Sequence, residues 1–200
     1  MKELKLYIQT EMEEIYYKHK ETVVHGFESI NLDDLEKAAD VILYAIRSGK
    51  TIYTAGNGAS AAIAQHWACD YTKGCSDTGA RPFKPKVISL SANIPLMTAI
   101  SNDISYDEVY SYQLERLADS GDVFISISSS GNSPSVVRAC EVALEKNLSV
   151  IALTGFHGGR TNELAQYPIH VAVEEYEAAE DVHQAIMHMI AKYLRFRKWN

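Results

Sequence analysis

The chain has 200 residues, 46% of them apolar and 22% charged, so it can bury a sizeable core without covalent staples. A formal net charge of -7 argues against a general binder of nucleic-acid backbones. Three cysteines (Cys69, Cys75, Cys140), an odd number with no CxxC, argue against a disulfide framework or a four-cysteine zinc site and suit a reducing compartment. The stretch "MKELKLYIQTEMEEIYYKHK" is charged throughout with no apolar signal core, and no run approaches a membrane span, so the expectation is a cytoplasmic protein.

Residues 3 to about 22 are polar, with apolar positions at helical spacing. A second helix is expected over about 32–48, opened by "NLDDLE", where Asn31 can cap and Asp33 and Asp34 suit the positive end of the helix dipole. Short β-branched or apolar runs then alternate with helical stretches. The runs are "TIYTA" (51–55), "KVISLS" (86–91), "DVFISIS" (122–128), "SVIALTG" (149–155) and "PIHVAV" (168–173). Helices are expected over about 59–73, 94–101, 107–118, 133–146 and 176–196. This alternation predicts βαβ units and a parallel sheet covered on both faces: one α/β domain over 1–200, with 1–48 as attached N-terminal helices.

In such a sheet, ligands bind beyond the carboxyl ends of the strands. There the chain reads "SSSGNSPS", with proline poised at a first helical position. The hydroxyls of Ser128, Ser129, Ser130 and Ser133 and the free N–H groups of a helix start would converge there, an anion site without a lysine, suited to a phosphate monoester. A serine-rich turn with a helix cap is the plainer alternative. "TAGNGASAA" (54–62) echoes the arrangement after the first strand, and two such loops could grip one ligand from opposite sides. Gly56, Gly58 and Ala61 also fit G-x-G-x-x-A, but "KVISLSANIP" offers no acidic residue for a ribose, and a Walker A pattern is absent.

Two helices carry paired functional groups. His66 and Asp70 are four apart and share a face; Glu180, Gln184 and His188 follow at four-residue steps, with His183 on the adjoining face. A His–carboxylate pair on each helix could supply four ligands to one divalent ion, with zinc the best match to mixed nitrogen and oxygen donors. Taken singly, such a pair is more often an ordinary surface or satisfied core contact than a ligand set.

"GNGASAAIAQHWACD", "TAISND", "DEVYSYQLERLADSGDVFISISSSGNSPSVVRACEVA" and "EDVHQAIMHMI" together resemble the sugar isomerase (SIS) domain, and within it the phosphoheptose isomerase family. The resemblance implies a three-layer αβα sandwich around a five-stranded parallel sheet. It implies a homotetramer with sites between subunits, a phosphorylated sugar substrate and a zinc ion. It places Ser60, Ser128, Ser129, Ser130 and Ser133 on the phosphate grip and Asn57 on the sugar. His66, Asp70, Glu180 and His188 fall on metal and acid–base positions, with Asp70, Glu180 and His188 the catalytic candidates. The family usually has Glu at Asp70, Gln at Glu180, Gly at Ala59, Arg at Gly74, and Asp at Asn93, a further substrate-facing position. An isomerase of another sugar phosphate, or a non-catalytic branch that binds a replication-initiation factor, are the alternatives the resemblance carries.

Overall fold

The computed structural model describes residues 2–76 and 83–197, with side chains from residue 10 onward. Helix α1 spans Lys2–Glu28 and α2 spans Leu32–Arg47. Asn31 caps α2 through its side-chain oxygen, which accepts from the N–H groups of Asp33 (2.9 Å) and Asp34 (3.3 Å). Ala38, Ala39, Ile42, Leu43, Ala45 and Ile46 form the buried stripe of α2.

The strands are β1 (Thr51–Gly56), β2 (Lys86–Ser89), β3 (Val123–Ser128), β4 (Ser149–Thr154) and β5 (Tyr167–His170). They form one all-parallel sheet in the order β2-β1-β3-β4-β5. Every residue of β3 is buried, as a central parallel strand covered on both faces requires. The helices are α3 (Ala59–Cys69), α4 (Ile94–Asp103), α5 (Ser111–Leu117), α6 (Pro134–Glu145), α7 (Gly159–Leu164) and α8 (Tyr176–Arg197). One core joins the sheet to α2, α3 and α8, and a second joins its other face to α4, α5 and α6, giving three layers.

Three local features depart from the sequence reading. α1 continues to Glu28, where Ser29 N–H still closes onto the His25 carbonyl. α7 is a two-turn helix in a stretch expected to be a connection. The helix expected over 59–73 changes at Asp70 into a wider π-helical turn, Asp70–Cys75. That turn is tied to α8 by two buried side chains, Tyr71 and Cys75, backed by Trp67 of α3. Trp67 packs on Tyr71 with ring centroids 5.1 Å apart, Tyr71 hydroxyl donates to Met187 O (3.3 Å), and Cys75 Sγ approaches Ala191 O (3.6 Å). Burying aromatic rings this fully contributes about 2 kcal/mol apiece or more. The register of α3 against α8 is therefore set by these anchors, whose sequence neighbours His66 and Asp70 lie at the rim.

The strand order places a ligand crevice. The chain leaves β1 toward β2 on one side and returns to β3 on the other, so connections diverge between the carboxyl ends of β1 and β3. Such a switch point is where open α/β sheets bind ligands. The loops 56–60 and 128–134 flank it.

Candidate active site

The first loop turns at Gly58 (φ 57), which sits at the N-cap of α3 with no side-chain cap, leaving first-turn N–H groups for a ligand. Ser60 follows, 4% exposed. Asn57 is held on three sides: its Oδ1 accepts from the hydroxyls of Tyr106 (2.8 Å) and Tyr110 (2.9 Å), and its Nδ2 donates to Ser135 Oγ (3.1 Å). With the oxygen committed, its remaining N–H is what the side chain can offer a sugar. Burial, ahead of its neighbours, pushes the Tyr110 hydroxyl up to about 12, so it stays a donor.

The second loop closes on itself and on the loop after β4. Ser130 Oγ accepts from Asn132 N–H (3.2 Å), which leaves its own proton to donate elsewhere. Ser128 Oγ meets Ser133 Oγ at 3.5 Å, and Ser133 occupies the N-cap of α6 without a side-chain cap bond. Gly131 (φ 65) lies so close to the next loop that a Cβ there would stand 1.8 Å from Gly158 O. Gly155 N–H donates to Ser129 O (2.8 Å), Thr161 N–H to Gly131 O (2.9 Å) and Arg160 N–H to Asn132 Oδ1 (2.9 Å). The cup is thus braced from behind by residues 155–161.

Ser129 differs from its neighbours: its hydroxyl is sealed from solvent and has no hydrogen-bond partner. Asn93 caps α4, its Oδ1 accepting from Leu96 N–H (3.2 Å), so that oxygen serves the helix.

At the far end of α3, His66, Asp70 and His188 bring one donor atom each within 4.8 Å of one another. His66 Nε2 lies 3.3 Å from Asp70 Oδ1, and His188 Nε2 lies 3.7 Å from Asp70 Oδ2. The imidazoles stand edge to face, centroids 5.1 Å apart. Two neutral imidazoles and a carboxylate are a donor set that suits zinc and leaves coordination positions for other oxygens, so the residues present fit the expected ion.

Glu180 is the exception among the four expected donors: the group that converges does not include it. It stands two turns before His188 on α8, about 12 Å of helix rise away. The side chain between them, Gln184, fills the gap, with Nε2 2.9 Å from His66 Nδ1 and 3.4 Å from His188 Nε2. The Glu180 carboxyl is raised above the usual carboxylate range, by burial first and then by the charges of Glu177 and Asp181. Sequence reasoning placed Gln184 on the right face but assigned it no part. Tyr106, Tyr110 and Ser135 were also passed over, because phenols and hydroxyls at those positions carry no signal until they meet Asn57.

A parallel β2-β1-β3-β4-β5 sheet with two serine-bearing helix starts at its switch point is the arrangement expected of a SIS domain. The sequence profile of that domain, described simply as the SIS domain, matches residues 15–155, and the chain belongs to this family. Among relatives, a phosphoheptose isomerase from Aliarcobacter butzleri is 36% identical over 179 residues, covering 90% of this chain and 93% of its own. One from Synechocystis is 32% identical over 189 residues, covering 93% and 94%. Among solved structures, the phosphoheptose isomerase of Neisseria gonorrhoeae superposes with a TM-score of 0.84 at 27% identity, covering 94% of this chain and 98% of its own. The chain is therefore matched over nearly its whole length, and the stretch that the domain profile matches contains both loops and α3.

Proposed function

We propose that this protein is a sugar-phosphate aldose–ketose isomerase of the phosphoheptose isomerase kind, acting on sedoheptulose 7-phosphate to give D-glycero-D-manno-heptose 7-phosphate. The observation that carries this reading is the division of labour along α3. Its start forms one wall of a hydroxyl-and-amide cup suited to a phosphate, and its end presents His66 and Asp70 beside His188. Ser60 and His66 are separated by about 9 Å of helix rise, the scale of a sugar phosphate.

Ser60, Ser128, Ser130 and Ser133 hold the phosphate with the N-termini of α3 and α6, and the fixed amide of Asn57 donates to a sugar hydroxyl. His66, Asp70 and His188 would hold zinc, which when bound supplies Lewis-acid polarisation of the substrate's carbonyl and adjacent hydroxyl oxygens. Glu180, outside that trio and with its carboxyl raised by burial ahead of the charges of Glu177 and Asp181, takes the proton from the carbon beside the carbonyl. It returns the proton to the neighbouring carbon, through a cis-enediol, while the hydroxyl proton of the first carbon's oxygen passes to the former carbonyl oxygen, so one hydrogen moves between the carbons and one between the oxygens.

The test is incubation with a panel of ketose phosphates in deuterated water, followed by NMR. Deuterium entering the carbon beside the carbonyl, with aldose appearing, is expected for sedoheptulose 7-phosphate. Exchange only with another sugar would move the substrate and keep the reaction class. Tight phosphate-ester binding with no exchange would make the chain a binding protein. Glu180→Gln should lower kcat at least about 100-fold.

We further propose that residues 1–200 work as one SIS domain assembled into a homotetramer, with 1–48 packed on the domain or at subunit contacts. Met12, Ile15 and Tyr16 on α1 are each about 60% exposed, an apolar face left open to solvent among the described residues. A groove of about 250 Å³ between α2 and α8, lined by Leu32, Leu35, Ala39, Met189, Ile190 and Tyr193, adds to it. Tyr7 and Ile8, expected on the same face, lie outside the described side chains. A monomer by light scattering at micromolar concentration would refute the assembly. No described helix is long and apolar enough to cross a membrane. Cys69, Cys75 and Cys140 are thiols rather than disulfides, which supports a cytoplasmic setting.

A further inference from the structure

We infer that Gln184, rather than Glu180, is the α8 side chain that positions the His66–Asp70–His188 centre for a metal ion. The inference rests on the metal-assisted reading above but concerns a residue that reading does not use.

The geometry is specific. The Gln184 amide stands between two imidazoles on different helices, 2.9 Å from His66 Nδ1 and 3.4 Å from His188 Nε2. Holding Nδ1 of His66 turns the opposite nitrogen, Nε2, toward Asp70 Oδ1 at 3.3 Å. A metal-binding histidine needs such a partner on its other ring nitrogen, because that bond selects the tautomer and fixes the ring plane. An amide can serve two states. As drawn by the shorter contact, its N–H donates to Nδ1, and the Nε2 proton of His66 then faces Asp70. Turned half a rotation about its last bond, the amide offers its oxygen to an Nδ1–H and leaves the Nε2 lone pair on the Asp70 side, ready for a cation. Gln184 is half-buried at a place where few other groups compete for Nδ1: the neighbouring buried face of α3 is Ile63, Ala64 and Trp67, all apolar bodies.

Glu180 lacks these contacts. It makes no hydrogen bond or ion pair with His66, Asp70 or His188, and the three-residue cluster forms without it.

The test is zinc affinity of the intact protein, measured by competition with a chromophoric chelator and compared across variants, with thermal unfolding of the metal-free forms as a control for folding. Gln184→Leu keeps the size and removes both polar ends; it should weaken zinc binding about 10- to 100-fold, the range for losing a partner of a ligating histidine. Gln184→Glu retains an oxygen for Nδ1–H, and should bind zinc as tightly as the wild type or more tightly. Glu180→Gln should stay within about threefold of the wild type. Three results would overturn the inference: Gln184→Leu binding zinc as well as the wild type, Gln184→Glu failing as badly as the leucine variant, or Glu180→Gln showing the larger loss. Wild-type protein with no measurable zinc affinity would also overturn it, while turnover in the deuterium-exchange assay would leave the isomerase reading intact. A leucine variant that does not fold is bypassed by Gln184→Met and by the Gln184→Glu and Glu180→Gln pair, which by themselves decide between the two residues.

Discussion

His183 offers a measurement of how the site helix α8 is seated. It is 0% exposed, and neither ring nitrogen meets a hydrogen-bond partner with good geometry. Burial pushes its imidazole from 6.5 down to about 4; the Thr154 backbone opposes the shift and the charge of His170 adds to it. The unfolded chain therefore binds a proton below pH 6.5 that the folded chain refuses until about pH 4. Stability from this residue is complete above pH 6.5 and drains away as pH falls toward 4. The shift corresponds to about 2 kcal/mol lost by pH 5 and about 3 kcal/mol by pH 4, at roughly 1.4 kcal/mol per pH unit. His183→Leu removes the titration and keeps the volume. Urea unfolding followed by circular dichroism, at one protein concentration because the proposed oligomer would couple to folding, should be run on both proteins at pH 7.5 and pH 5. Groups common to both cancel in the difference. That difference should swing by about 2 kcal/mol in favour of leucine on acidification. Parallel losses, with the difference constant to within roughly 0.5 kcal/mol, would refute the reasoning and mean that the protonated ring finds water or an acceptor.

Other expectations concern the cup and its support. Ser130→Ala should weaken sugar-phosphate binding by about 1–3 kcal/mol, the scale of one hydrogen bond to a charged group, and unchanged affinity by calorimetry would remove this hydroxyl from the cup. Gly131→Ala should cost at least about 2 kcal/mol of folding stability and abolish phosphate binding, because the methyl would drive into the Gly158 carbonyl. Gly58→Ala meets open space, so its cost is backbone strain alone, about 1–3 kcal/mol at φ 57 and ψ -126, and less damage from Gly131→Ala than from Gly58→Ala would contradict the bracing of the cup by residues 155–161. Tyr106→Phe, losing the 2.8 Å bond to Asn57, should raise KM about 3- to 10-fold with the unfolding midpoint unchanged; a loss confined to kcat would place the phenol in the chemistry instead.

Much of this molecule was legible along the chain, because its information is local. Alternating apolar runs and helical stretches specify β1 to β5 with their crossovers, since a buried parallel strand and an amphipathic helix have different periods. Asn31 before two aspartates, and Pro134 after Ser133, mark helix starts by the hydrogen bonds and backbone angles those residues supply. The serines and glycines of the two loops raise the expectation of an anion site for the same reason. What the tertiary structure decided is the assembly of pieces distant in sequence. Strand order puts β1 beside β3 and so brings the two loops to one crevice. Tyr106 and Tyr110 reach Asn57 across about fifty residues. α7 escaped notice because "GGRTNEL" is short, begins with two glycines and is held by Gly131 O rather than by its own propensity. Glu180 and Gln184 occupy the same face of α8, and spacing alone ranks them together. The choice between them is made by where Trp67, Tyr71 and Cys75 lock the end of α3 along α8. A helix's sequence tells which residues share a face; only its packing against a neighbour tells which turn of that face meets the other helix.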